Sequence, residues 1–132
     1  MPLKISLKPN ERIILSGAVV TNGKNAATLL VENNVTILRE KDILSEAQAN
    51  SPAKKIYYAI QLMYIDRPNL VQYHSYYWDL VRPFLAAAPR SLGLINEISE
   101  NILGEQYYKA LKAARKLIEY ERKALAALTG EQ

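Results

Sequence analysis

The chain has 132 residues, 49% hydrophobic and 23% charged, with a formal net charge of +4 and no cysteine. That apolar content supports one compact domain or two small halves sharing a core, and the mild basic excess suits nucleic acid or an acidic partner without implying either. Disulfides, thiolate zinc sites and cysteine nucleophiles are excluded, and no stretch approaches the roughly 20 apolar residues of a membrane span.

The first stretch, Leu3-Lys4-Ile5-Ser6-Leu7-Lys8, alternates strictly instead of running apolar as a signal peptide would, so a cytoplasmic protein is expected. Leu3, Ile5 and Leu7 share one face of this strand; Lys4, Ser6 and Lys8 share the other. Pro9-Asn10-Glu11 is turn chemistry. Arg12–Leu15 reads as a second strand ended by Ser16-Gly17, and Ala18–Thr21 as a third. Asn22-Gly23 is a strong hairpin signal leading into a fourth strand, Ala27–Val31. Glu32-Asn33-Asn34 turns the chain into Val35–Leu38, the fifth. Five strands this short predict a small antiparallel sheet or half-barrel, whose open edges must be covered or paired.

Val35–Leu44 is the hinge of the architecture: a β-branched start, a burst of charge at Arg39-Glu40-Lys41-Asp42, and an apolar close. From Ser51 the period becomes helical. Ser51 is a good N-cap and Pro52 suits the first helical position. Ile56, Ala59, Ile60 and Met63 form a stripe before Asp66-Arg67-Pro68 stops the helix. Asn69 is expected to cap a second helix with Tyr73, Tyr77, Leu80, Val81 and Phe84 inward. Pro83 should kink or shorten it near Asp79. Beyond Pro89, a third helix carries Leu94, Ile95, Ile98 and Ile102 and closes at Gly104. The last and longest helix, about Glu105–Leu128, sets Leu111, Ala114, Leu117, Ile118 and Leu125 against a face crowded with Lys109, Lys112, Arg115, Lys116, Arg122 and Lys123. Gly130-Glu131-Gln132 reads as a disordered end. The fold expected is α+β: a small antiparallel five-stranded β unit in residues 1–50, then a bundle of about four helices in residues 51–132, folding as one cooperative unit.

Nothing here reads as an enzyme. His74, the single histidine, lies between Tyr73 and Ser75 with neither an orienting acid nor a nucleophile turn, and reads as a surface or packed residue. The acids are scattered among basic neighbours, and no metal spacing or phosphate loop appears, so no cofactor or metal is expected. The nine tyrosines all lie after residue 56, and six form doublets: Tyr57-Tyr58, Tyr76-Tyr77 and Tyr107-Tyr108. Helical neighbours are about 100° apart, so one ring of each doublet is pushed to the rim. There it either serves an interface, with Tyr58 and Tyr76 the candidates, or seals the core edge. The basic face of the last helix either tracks phosphates or, the favoured reading, is a solvated outer face with Glu119 intermixed. Val35, Ile37, Arg39 and Lys41 share strand parity. With Val35 and Ile37 inward, Arg39 must lie beyond the rim or break the strand. Its guanidinium is then either poised for phosphate or a guanine edge, or held by a neighbouring acid.

Four blocks carry a resemblance over about residues 3–125: Leu7–Val19, Ile37–Leu44, Pro52–Asp66 and Tyr107–Ile118. In this order they resemble the FlbT family of flagellum-biosynthesis regulators. The resemblance implies a post-transcriptional regulator that associates with the 5′ untranslated leader of flagellin mRNA and promotes its decay. Asn10 stands where glycine is expected in that family, and asparagine also accepts positive φ. Residues 3–44 are in addition similar to the carbon-storage regulator family of mRNA-leader-binding β proteins, on Leu3–Leu7, Glu11–Gly17 and Val35–Glu40. That likeness implies RNA contact at Arg39; Lys41, Lys4 and Lys8 are expected beside it as further RNA-binding residues. It also implies a homo-oligomer formed by exchanged strands, unless the helical half covers the edges. The first strand departs from that family's pattern, which ends in arginines; lysine gives a point charge without bidentate geometry. The alternative reading is an adaptor of flagellum assembly whose tyrosine-rich helices grip flagellin, a flagellar chaperone or a second flagellar regulator. Neither reading involves a membrane.

Overall fold

In the computed structural model, which describes residues 3–130, strict alternation produces the first ribbon: β1 (Leu3–Leu7) pairs antiparallel with β4 (Ala27–Val31), Leu3 opposite Val31 and Leu7 opposite Ala27. A second antiparallel sheet has β2 (Arg12–Leu15) at its centre, between β3 (Ala18–Thr21) and β5 (Ile37–Arg39). The inward side chains Ile5, Leu7 and Ile13 are buried, with Leu15, Leu29, Val31 and Ile37 packed on them. The five strands thus form two small sheets.

The hairpin is not where the Asn-Gly signal pointed. Leu15 pairs with Ala18 across a two-residue loop, Ser16-Gly17, with φ of 48° and 86°. Two positive φ angles define the turn whose twist matches a β-hairpin. Asn22-Gly23 instead links strands of different sheets, with positive φ at neither residue, and the Asn22 side chain is used to brace the turn. Its Nδ2 donates to the carbonyls of Lys8 (2.8 Å) and Asn25 (3.0 Å), tying the turn after β1 to the loop before β4. Asn10 takes φ 63° in that turn, so asparagine does supply the left-handed residue there. The fifth strand starts at Ile37 and includes Arg39, two residues later than Val35.

The chain divides into two compact units, one ending at Ile43 and the other starting at Leu44. In the second, α1 (Pro52–Ile65) begins as expected: the Ser51 hydroxyl accepts from the Lys54 N–H, and Pro52 is the first helical residue. The stripe Ile56, Ala59, Ile60 and Met63 is fully buried. Helix α2 (Leu70–Ala87) runs its full 18 residues through Pro83, so the proline does not shorten it. Asn69 does not cap it; the Asn69 side chain donates to Asp66 instead. Helix α3 (Leu92–Leu103) ends at Gly104, yet the positive φ there (58°) belongs to Glu105. Helix α4 (Tyr107–Thr129) ends on Gly130 in the left-handed conformation. Of the expected disordered end, Glu131 and Gln132 lie outside the described residues. Helix α1 packs against α2 and α4, and α3 packs against α4. One side chain departs from its expected stripe: Leu125 is 53% exposed, beside a groove of about 420 Å³ lined also by Leu80, Phe84 and Tyr120.

Candidate nucleic-acid interface

In the strand unit, Lys4 and Lys8 follow from the alternation that buries Ile5 and Leu7. Both are exposed, four residues apart, or about 13 Å along the strand direction. The Lys8 backbone is fixed by its turn: its N–H donates to Glu11 Oε1 (2.8 Å), and its carbonyl accepts from the Glu11 N–H (3.1 Å).

Arg39 lies on the other sheet. Register sets it opposite Ile13, and Ile37 opposite Leu15, so it shares the face of that buried cluster. As the last residue of β5 it is exposed, beyond the rim. Neither neighbouring acid pairs with it: Asp42 is buried in the following turn, and Glu40 is engaged elsewhere. Glu40 Oε1 accepts from the Arg12 N–H (3.3 Å) and lies 3.5 Å from Arg12 Nε. Arg39 forms no ion pair among the described residues. A single 3-10 turn, Glu40–Asp42, follows and carries Lys41 exposed and Asp42 buried. The four cations therefore form two groups: Lys4 and Lys8 on the outer face of the β1–β4 ribbon, and Arg39 and Lys41 at the end of β5.

In the helical unit each tyrosine doublet divides as helix geometry requires. Tyr57, Tyr77 and Tyr107 are buried; Tyr58 is half-buried, and Tyr76 and Tyr108 are exposed. Burial raises the phenol pKa values of Tyr77 and Tyr107, and the Tyr77 hydroxyl shares a 2.9 Å hydrogen bond with Ser99 Oγ. Tyr58 is raised by burial, then by Glu46 and Tyr76 nearby. The Tyr73 hydroxyl donates to Asp66, which raises the phenol and lowers the carboxyl. His74 is half-buried, and its Nε2 has no hydrogen-bond partner among the described residues.

The sequence reading missed an array of cations on rings along α1 and α4. Arg115 lies 6.0 Å from the Tyr57 ring centre, Lys112 5.0 Å from that of Tyr108, and Arg67 5.1 Å from that of Tyr107. The Tyr108 and Tyr64 rings are 6.2 Å apart. Its signal was present as Tyr57 and Tyr64 at i, i+7 and Tyr108 and Lys112 at i, i+4, each pair on one helical face. Elsewhere the basic face of α4 is solvated as read: Lys116 pairs with Glu97 (3.2 Å), and Arg122 with Glu119 (2.6 Å).

Among the described residues no three His, Asp or Glu side chains are grouped to hold a metal, and no helix is long and apolar enough to cross a membrane. Fold and surfaces together define a small α+β protein with exposed cationic and aromatic faces. The chain belongs to the FlbT family: residues 3–125 match the family described as flagellar protein FlbT. It is 51% identical to a probable flagellum biosynthesis repressor protein FlbT 1 of Bradyrhizobium diazoefficiens, over 93% of this chain and 84% of the relative. It is 39% identical to the flagellum biosynthesis repressor protein FlbT of Caulobacter vibrioides, over 95% and 90%. A probable FlbT repressor of Rhodopseudomonas palustris is 38% identical over 96% and 99%. No solved structure matches the chain. The family is one of regulators of flagellum synthesis.

Proposed function

We propose that this protein binds the 5′ untranslated leader of flagellin mRNA and lowers flagellin expression by promoting decay of the message. The observation that carries the reading is the state of Arg39: exposed at the end of β5, with Glu40 turned to Arg12. A guanidinium left available in this way can fork onto a phosphate or a guanine edge. Lys41, Lys4 and Lys8 supply phosphate contacts, which position RNA without reading its sequence. Membership of a family whose relatives are named repressors supports the direction of control. A pull-down with a flagellin-leader transcript, against an unrelated RNA of equal length, tests the proposal. Selective retention of the leader is expected, and equal retention of both RNAs would refute leader recognition.

A second reading, a protein-binding adaptor, is favoured by the outward rings. Tyr58 on α1 lies close enough to α2 for Tyr76 to help raise its phenol and for it to help raise that of Tyr73. On this reading flagellin, a flagellar chaperone, a second flagellar regulator or another copy of the chain covers them. Replacing Tyr58 and Tyr76 with serine should leave folding intact and weaken capture of the partner. A large loss of thermal stability would show that the rings only seal the core.

A further inference from the structure

Helices α1 and α4 run antiparallel. The Ser51 hydroxyl and Ala53 N–H, at the start of α1, donate to Glu121 (2.5 and 2.9 Å) near the end of α4. Tyr64, at the other end of α1, lies beside Tyr108 at the start of α4. Between these ends, rings and cations alternate: Tyr57 under Arg115, then Tyr64 and Tyr108 with Lys112, then Tyr107 under Arg67. From Tyr57 to Tyr64, α1 supplies about 10 Å of the strip at the helical rise, and Arg67 follows beyond the helix end. The rings have two roles. Tyr57 and Tyr107 are 4% and 2% exposed, so each is a buried surface on which a guanidinium rests. Tyr108 also carries a cation, Lys112, over its ring, but it is 38% exposed and its neighbour Tyr64 half-buried, so these two keep ring surface outward.

Three nearby acids are occupied. Glu121 closes the start of α1, Glu119 pairs with Arg122, and Asp66 accepts from Tyr73 and Asn69. Glu105 lies at one end, near Tyr107. Arg67 and Lys112 form no ion pair among the described residues. An acidic peptide would need only the cations. Aromatic rings interleaved with cations at this spacing fit a ligand with both phosphates and flat bases.

We infer that the α1–α4 edge is a binding surface for single-stranded nucleic acid, with bases stacking on Tyr108 and Tyr64 and phosphates meeting Arg67 and Lys112. It is made of helical-unit residues and shares none with the strand-unit cations. It rests on the RNA reading only for the choice of RNA as probe. Stacking needs unpaired bases, so the surface selects single strands over duplex without reading sequence.

The test is fluorescence anisotropy of the full chain with a labelled oligouridylate, a duplex RNA of equal length, and two baseless polyanions, heparin and polyglutamate. Wild type should prefer the single strand. Tyr108→Ala should weaken its binding roughly tenfold, in the range expected for removing the ring under one stacked base, with little change for heparin. Tyr108→Phe should retain it. Lys112→Gln, at an exposed position, should weaken all the anions and guards against misfolding of the ring variant. Wild-type binding of oligouridylate by Tyr108→Ala overturns the inference, as does equal loss for heparin. Wild-type preference for polyglutamate would assign the strip to an acidic protein partner instead. Arg39→Ala separates the two RNA proposals. If it abolishes binding and the strip variants do not, only the helical surface fails; if wild type binds no RNA, both fail.

Discussion

Gln61 and Leu44 exchange two hydrogen bonds: Gln61 Oε1 accepts from the Leu44 N–H (2.8 Å), and Gln61 Nε2 donates to the Leu44 carbonyl (2.9 Å). A side-chain amide thereby satisfies both polar groups of the residue at which the helical unit begins. Gln61 is 3% exposed, on the buried side of α1. Its position is otherwise apolar, and the pair explains why a polar residue stands there. Gln61→Leu leaves the Leu44 N–H and carbonyl without their partner, and a cost of about 1–3 kcal/mol is expected. The denaturation midpoint should fall at unchanged slope; a midpoint equal to wild type would show that water replaces the amide at no cost.

Glu121 secures the start of α1 from another helix. Its carboxylate accepts from the Ser51 hydroxyl and the Ala53 N–H, while Ser51 Oγ accepts from the Lys54 N–H. Glu121→Ala should therefore destabilise the fold by about 1–2 kcal/mol, as loss of an N-cap does. Glu121→Gln keeps one acceptor oxygen and should fall between. Thermal melts of the two variants give the order; an inert Glu121→Ala would reduce the contact to surface decoration.

Periodicity was enough to read most of this fold. Ile5 and Leu7 are buried by period two, and Ile56, Ile60, Ile98 and Leu117 by period 3.6. Pairing between strands was not readable locally. Asn22-Gly23 has hairpin chemistry, but its side chain bonds to the Lys8 carbonyl fourteen residues away, and Ser16-Gly17 makes the turn. The exposure of Arg39 was legible from parity. Its lack of an acidic partner was not, because Glu40 turns to Arg12 across the sheet. The ring–cation array was legible only within each helix; Tyr57 with Arg115 and Tyr64 with Tyr108 meet only because α1 and α4 run antiparallel.

The Asp66–Tyr73 hydrogen bond predicts two limbs of pH dependence. It holds the Asp66 carboxyl below its usual value and the Tyr73 phenol above its own. For Asp66, the contribution is fully present above the unfolded value of about 3.9 and is lost as pH falls through the lower folded one. For Tyr73, the contribution is whole below about 10 and is lost as pH rises through the higher folded value. Tyr73→Phe should move the Asp66 titration upward, though Asn69 still donates to it. Carboxyl NMR titration reads this directly; an unmoved Asp66 in Tyr73→Phe would assign the whole depression to Asn69.

The strand unit has few buried apolar side chains: Ile5, Leu7 and Ile13 in one cluster with four half-buried neighbours, and Ile14 and Leu38 besides. A core this size leaves an isolated β unit marginal. A fragment ending at Asn50 is expected to be unfolded or self-associated by circular dichroism and sedimentation. A cooperatively melting, monomeric fragment would establish the β unit as an independent domain.

Arg39→Ala tests the strand-unit RNA contact most sharply. With Glu40 already engaged by Arg12, removing the Arg39 side chain deletes no ion pair among the described residues. The fold should therefore survive, which circular dichroism and a melt on the same sample establish. Removing a guanidinium that forks onto a base edge should cost about 1–3 kcal/mol and blur discrimination between leader and control RNA. Lys4→Ala and Lys8→Ala act differently, because a lysine on phosphate reads no sequence. Each should weaken both RNAs alike and flatten the logarithmic salt dependence by about 0.7, the single-strand value for one phosphate neutralised. Charge reversal at Lys116, which pairs with Glu97, should leave binding nearly unchanged. A folded Arg39→Ala protein that binds the leader as tightly and selectively as wild type removes this arginine from the RNA interface, and the adaptor surface at Tyr58 and Tyr76 then becomes the leading account.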